Sequence, residues 1–245
     1  FIICYAGTYI CNYIGTLVTM IIGILKGGAV GNVLQEITSS IHPLTNLLVV
    51  AILAPIMEEL LFRKLLLDRT AGYGEGISLL FSGLVFGLFH GNLNQFTYAF
   101  VLGIFFSFVY IKTKNIIYPI ILHMSINFVG SFLGSLVLEK SRYLEFAAEF
   151  TELSSTPALL TEEAMMNLFS SYGGGLILYL VYALTLMLVA LIGTILFFVF
   201  LKKYRLSPAP FAIEKGKRFT TAFVNIGMIL YVIFFLVSIV MQLFQ

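Results

Sequence analysis

Charge is what this sequence has least of. Asp, Glu, Lys and Arg make up 11% of its 245 residues, against 60% hydrophobic residues and a mean hydropathy of +1.01. Soluble domains carry about 25% charged residues, so the composition excludes one and points to a polytopic membrane protein. The balance of charge is only +2, and no basic face interleaves with aromatics, which argues against nucleic-acid binding. Cysteine is scarce as well. Cys4 and Cys11 both lie in the first apolar run; seven apart they can share a helix face, but thiols in lipid are more often small packing residues than a disulfide or metal pair. Internal repeats, low-complexity tracts, a Ser/His/Asp set around a small-residue elbow, a phosphate-binding glycine loop and a His-Glu-x-x-His motif are all missing. The first residue is Phe1 rather than Met, read as a start inside a longer protein, so no signal peptide is assigned.

Seven apolar segments remain, at about 2–25, 45–69, 77–91, 95–111, 116–138, 175–201 and 219–244. About 20 residues cross roughly 30 Å of hydrocarbon, and most of the seven are long enough. The third reaches only about 22 Å, at 1.5 Å per residue, before Gly91-Asn92-Leu93-Asn94 interrupts it. Irregular backbone at that depth needs protein or a water cavity around it, and Asn92 and Asn94 are expected to cap the interruption. The expected fold class is all-α: a polytopic transmembrane helical bundle of about seven to eight spans, one membrane domain over 1–245.

The few charges cluster between spans. Lys202, Lys203, Arg205, Lys215, Lys217 and Arg218 stand against Glu214, so 202–218 reads as cytoplasmic. Lys112 and Lys114 mark a second cytoplasmic turn, and Arg63, Lys64 and Arg69 a third. Segment 139–172 has six Glu against Lys140 and Arg142 and reads as the outside, either a loop or an interfacial helix. Gly173-Gly174-Gly175 reads as a flexible joint before the sixth span. These assignments alternate consistently through the seven spans.

Against this background Glu58-Glu59 is conspicuous, because the pair lies inside the apolar run Leu47 to Leu67. An ionised side chain at membrane depth costs at least a few kcal/mol and usually faces a protein or water-filled interior with a function there. Glu59 and Arg63 are four apart, share a helix face and are expected to pair. Glu58 has no helical partner of opposite charge, which leaves it free to hold and deprotonate a water. Pro55 is expected to deprive the Ala51 carbonyl of its donor and kink the helix. Phe86 and His90 repeat the four-residue spacing, as do His123 and Asn127; an imidazole and an amide on one face suit a developing oxyanion. Taken singly, His90 reads as a hydrogen-bonded packing residue, His123 with Asn127 as glue between helices, and the Glu pair as a structural ion pair with one protonated Glu. His42, before Pro43, reads as a solvated loop histidine. Measured from the cytoplasmic ends, Glu59 lies about 15 Å along its helix, His90 about 20 Å and His123 about 10 Å, so the three can converge in the cytoplasmic half of the bilayer, around an intramembrane active-site cavity.

Glu58-Glu59-x-x-x-Arg63, Phe86-x-x-x-His90 and His123-x-x-x-Asn127, in that order, resemble the CAAX protease and bacteriocin-processing family, also called the Abi family of intramembrane proteases. Phe100-Val101-Leu102-Gly103, with the apolar run to Tyr110, is similar to its less informative motif between the two histidines. The resemblance covers about residues 45–130 as a catalytic core. It implies an endopeptidase whose site lies inside the membrane and whose substrate is a membrane-bound or lipidated peptide or protein. Implied roles are Glu58, assisted by His90, activating water; His123 and Asn127 stabilising the oxyanion; Glu59 and Arg63 fixing the helix; and Phe86 in support. A metal-free mechanism is expected, with a Zn²⁺ held by Glu59, His90 and His123 as the alternative. A non-proteolytic membrane partner, such as an immunity or signalling protein bound to another membrane protein, is the rival function. A proton-coupled transporter is disfavoured, since residues 140–245 hold no counterpart of the polar groups. The Ile, Phe and Leu content fits a bacterial cell membrane.

Overall fold

The structure, a computed structural model, describes residues 1–156, 158–207, 214 and 216–244. Among them there is no strand. In chain order the helices are α1 (Ile2–Lys26), α2 (Val33–Ser40), α3 (Pro43–Thr70), α4 (Glu75–Phe89), α5 (Leu93–Thr113), α6 (Ile117–Ser141), α7 (Tyr143–Ser155), α8 (Glu162–Lys203), α9 (Arg218–Phe223) and α10 (Ile226–Leu243). Six of them, α1, α3, α5, α6, α8 and α10, are long and apolar enough to cross a membrane, and α4 is the short apolar helix expected before the interruption. Outward-facing Leu, Ile and Phe side chains cover α8 and α10, as an interface with lipid requires. The protein is a multi-pass helical membrane bundle.

The three basic clusters meet at one end of the bundle, except that Arg63, counted with the third of them from the sequence, is fully buried instead. Glu75, at the start of α4, accepts from Lys112 Nζ at the end of α5 (2.6 Å) and from the Ser207 N–H after α8 (2.6 Å). Close by in sequence, Lys64 pairs with Asp68 (2.9 Å), and the Tyr110 hydroxyl donates to the same carboxylate (2.9 Å). Lys215, counted with this face from the sequence, lies outside the described residues. Elsewhere in the bundle Lys26 Nζ donates to the Leu243 carbonyl (2.6 Å) and Gln242 to that of Gly31 (2.9 Å), which ties the first helix and the segment after it to the last helix.

The expected flexible joint at Gly173-Gly174-Gly175 does not exist as such: α8 runs straight through it. The physical reason is packing. A Cβ on Gly175 would lie 2.1 Å from the Ser141 carbonyl oxygen, whereas positions 173 and 174 meet nothing within 4 Å. Residue 175 lets the end of α6 press against α8. A second glycine contact sets the core. A Cβ on Gly103 of α5 would lie 2.8 Å from the Gly83 Cα of α4, and one on Gly87 would lie 3.1 Å from the Phe100 backbone. Small residues at a crossing let helix backbones approach closely. The antiparallel pair α4–α5 closes on that contact and buries Val85, Phe86, Leu102 and Phe106.

Helix α3 is not uniform. Asn46–Leu53 and Leu60–Leu67 are wide, π-type turns on either side of the ordinary helical stretch Ala54–Glu59. Wide turns of this kind recur at functional sites. In the first of them the Ala54 N–H reaches back five residues to the Val49 carbonyl. Pro55 has no N–H to offer, so the Val50 carbonyl has neither of its usual helical donors. The sequence placed this deficit at Ala51; the wide register moves it one residue. Asn127 of α6 fills it, its Nδ2 donating to the Val50 oxygen at 3.0 Å.

At the interruption, Asn92 caps α5 as expected, its Oδ1 accepting from the Gln95 N–H (2.9 Å). Asn94 is not a cap. It is buried and accepts from Thr19 of α1 (2.8 Å). Both cysteines are free, Cys4 buried and Cys11 half-buried. His42 is exposed and caps α3 through its ring nitrogen.

Candidate active site

Three helices deliver the polar residues to one place. α3 brings Glu58, Glu59 and Arg63; α4 brings Phe86 and His90; α6 brings His123 and Asn127. Glu59 and Arg63, both fully buried, form the expected ion pair: Arg63 Nε lies 2.9 Å from Glu59 Oε2 and Arg63 Nη2 donates to Oε1 at 3.3 Å. The guanidinium also stands over the Phe86 ring, 5.0 Å from its centroid, and 5.8 Å from that of Phe106. A buried charge is tolerated only when paired and hydrogen-bonded, and Arg63 meets both conditions.

His123 is the centre of the cluster. Its Nδ1 lies 3.0 Å from Glu59 Oε1 and its Nε2 lies 3.8 Å from Glu58 Oε2. Opposed to a carboxylate already held by arginine, Nδ1 carries the hydrogen of that bond, so the second nitrogen is the one turned toward Glu58. The ring packs edge-on to Phe86 (5.7 Å between centroids) and tilted against Phe106 (5.1 Å). Glu58 differs from its neighbour as the sequence suggests. Its side chain is 20% exposed, its Oε2 is enclosed without a hydrogen-bond partner, and no cation pairs with it among the described residues apart from the histidine 3.8 Å away.

His90 stands one ring farther off. Its Nδ1 is 2.9 Å from the Phe86 carbonyl. A carbonyl can only accept, so Nδ1–H donates, and in the neutral ring Nε2 holds the lone pair. Among the described residues no carboxylate lies within ion-pair distance of this histidine; the edge of Phe86 (5.1 Å between centroids) separates it from the Glu59–His123 pair. Asn127, expected at the oxyanion, has one amide hydrogen committed to the Val50 carbonyl.

Several residues at this site escaped the sequence reading. Ser82 and Ser107, both fully buried, continue the polar cluster behind Arg63: Arg63 Nη1 donates to Ser82 Oγ (3.1 Å), and Ser107 Oγ donates to the same atom (2.9 Å). A signal was present, since Ser82, Phe86 and His90 continue the four-residue spacing by one turn. Phe106 is completely buried beneath His123. Tyr98, two turns along α5 on the face of Phe106, packs against the core beside Gln95 and within electrostatic reach of Glu58.

Glu59 does not suit a metal, because both of its oxygens face Arg63. The Nδ1 bonds of His123 to Glu59 and of His90 to the Phe86 carbonyl leave the Nε2 atom of each ring open. No group of three metal-ligating side chains occurs among the described residues. Between α3 and α6 an apolar cleft of about 570 Å³ is lined by Leu47, Ala51, Ile52, Ile121, Met124 and Phe128 among others, and by none of the polar residues of the site.

Residues 40–129 match the family described as type II CAAX prenyl endopeptidase, Rce1-like. The chain is 35% identical over 104 residues to YdiL of Bacillus subtilis (strain 168), named as a candidate membrane peptidase, a match that spans 40% of each chain. It is 33% identical over 82 residues to the membrane-embedded CAAX protease MroQ of Staphylococcus aureus (strain USA300), covering 31% of this chain and 33% of MroQ. With the UPF0177 protein YxdF of Lactococcus lactis subsp. lactis (strain IL1403) it shares 25% over 124 residues, 50% of this chain and 69% of that one. The chain thus spans well under half the length of the first two of these relatives. No solved structure matches it. The matched stretch contains Glu58, Glu59, Arg63, Phe86, His90, His123 and Asn127, and the resemblance drawn from those motifs is borne out.

Proposed function

We propose that this protein is an intramembrane endopeptidase whose nucleophile is a water activated by Glu58. One observation carries the reading: of two adjacent carboxylates, one is fully buried and locked between Arg63 and His123, and the other, partly exposed, keeps an enclosed, unpartnered oxygen 3.8 Å from the histidine's second nitrogen. Environments that separate the roles of two carboxylates are the pattern of acid–base catalysis. In the proposed sequence the Glu58 carboxylate takes a proton from water as the water oxygen attacks the scissile carbonyl carbon. The carbonyl electron pair moves onto its oxygen, where His123, its charge supported by Glu59, donates a hydrogen bond. The tetrahedral centre then collapses. Its C–N bond breaks, the nitrogen takes the proton from Glu58, and the new carboxyl and amino ends depart.

Glu59 and Arg63 in this reading orient His123. The lone pair of His90 Nε2 helps to orient the water, and Asn127 braces α3 at its weakened turn. The chemistry needs no metal in this scheme. The apolar cleft beside α3 and α6 suits a substrate that is itself embedded in or anchored to the bilayer, such as a lipidated or hydrophobic peptide.

The test is cleavage of a library of quenched-fluorescence apolar peptides by the full chain, purified in detergent and treated with chelator. The expected result is cleavage by the unaltered protein, with products identified by mass spectrometry, and a fall of at least about 10³-fold in kcat for Glu58→Gln, as removal of an essential base produces. Full activity in Glu58→Gln, or activity that returns only with added Zn²⁺, overturns the scheme.

A further inference from the structure

Behind the carboxylates, the buried polar groups left over by the proposed reaction form a line. Ser107 Oγ of α5 donates to Ser82 Oγ of α4 (2.9 Å), and Arg63 Nη1 of α3 donates to the same oxygen (3.1 Å). From Arg63 the line runs into Glu59 and from Glu59 into His123 of α6. None of these five residues is more than 3% exposed. A serine oxygen has two acceptor lone pairs; at Ser82 both are taken, by donors from two other helices. Arg63 in turn has only Ser82 and Glu59 as hydrogen-bond and ion-pair partners among the described residues.

This geometry has a directional consequence. The guanidinium is a planar fork, and Ser82 pins the prong that Glu59 does not hold. With that prong released, the guanidinium can tilt, and the two Glu59 oxygens tilt with it. His123 is anchored to Glu59 through Nδ1, so the direction of its Nε2 toward Glu58 changes as well. We infer that Ser82 and Ser107 are positioning residues of the active site, acting in series through Arg63 and Glu59 to aim His123. The inference rests on the peptidase reading of that site. Its distinctive content is the order of the series: among the described residues Ser107 bonds no other side chain than Ser82, so whatever it contributes to the reaction passes through Ser82. The close approach of Gly83, next to Ser82, and Gly103, one turn before Ser107, brings the two helices near enough for two short serine side chains to meet.

The experiment measures kcat and KM of the full chain on a cleaved fluorogenic peptide, for Ser82→Ala, Ser107→Ala and the double variant, alongside Glu58→Gln. Small misplacements of catalytic groups cost up to about a hundredfold in rate. Accordingly Ser82→Ala is expected to lower kcat about 10- to 30-fold with KM within about twofold, Ser107→Ala about threefold, and the double variant no more than Ser82→Ala alone. Serines that merely hold α4 against α5 would instead lower the unfolding temperature and leave kcat of the folded protein unchanged; that result, or effects of the two variants that multiply, overturns the inference. Should Ser82→Ala not fold, Ser82→Cys keeps the size with a weak acceptor, and an unaltered kcat there overturns it equally. Abolished cleavage in Glu58→Gln together with normal kcat in Ser82→Ala refutes the series alone, whereas full cleavage in Glu58→Gln removes the peptidase reading with it.

Discussion

Arg63 is held on every side by the interior of the bundle. It is fully buried, it neutralises Glu59, and it fills the space between the rings of Phe86 and Phe106. Replacing it by Met keeps much of the volume but leaves the buried Glu59 carboxylate with His123 alone to oppose its charge, at a cost of up to about 3–5 kcal/mol. Arg63→Met is therefore expected to lower the unfolding midpoint in detergent sharply. Adding Glu59→Gln, which removes the stranded charge, is expected to restore most of that loss without restoring activity. Recovery of cleavage in the double variant would show that the ion pair has no part in the reaction. At this scale the sequence was informative wherever two partners sit on one helix. The spacing of four gave the Glu59–Arg63 pair and the shared face of Phe86 and His90. It could not give the partners across helices: Glu59 with His123, or Asn127 with Val50, depends on how α3 and α6 meet.

Among the helices, the glycines separate two roles that look alike in the chain. Gly173, Gly174 and Gly175 all lie within α8, yet only Gly175 touches another helix. Alanine in a helix interior is favoured over glycine by about 0.5–1 kcal/mol, so Gly173→Ala and Gly174→Ala are expected to stabilise the protein slightly. Gly175→Ala is expected to destabilise it by about 1–3 kcal/mol, the usual range for overpacking, because its Cβ would collide with the Ser141 carbonyl. Thermal unfolding of the three variants checks the pattern, and equal effects at all three positions would contradict it. The run of three glycines suggested flexibility because propensity is a local quantity; the contact with Ser141, 34 positions earlier in the chain, is not. The short α4 and the break after it were legible, by contrast, because length and polarity alone imposed them.

For the molecule as a whole, the seven apolar segments, six of them long helices and one the short α4, and the common end of the basic clusters followed from hydropathy and Lys/Arg placement, which act on every helix independently of its neighbours. What ties that end together was less legible. Glu75 joins the start of α4 to Lys112 and to the chain after α8. Burial pushes its carboxyl up, but the hydrogen bonds from Lys112 and from the Ser207 N–H outweigh this and hold it below the usual 4.5. A carboxylate whose value is depressed by folding contributes stability that is complete above its unfolded value and drains away as the pH falls through the folded one. The unfolding midpoint is thus expected to decline as the medium is acidified below about pH 4.5, and Glu75→Gln to flatten that decline. Midpoints measured for both proteins across about pH 3–6 test this; parallel curves would remove Glu75 as the cause.

The two wide turns of α3 carry a consequence for alignment. Each admits one residue more than an ordinary turn, and one residue turns an α-helix by about 100°. A homologue built on an uninterrupted narrow helix would need a single-position gap on both flanks of Glu58-Glu59 to present its acids on the same side. Deleting one amino acid from 46–53 would swing the stretch before the acidic pair, or the pair itself, through a quarter-turn or more, while hydropathy profiles hardly registered the change.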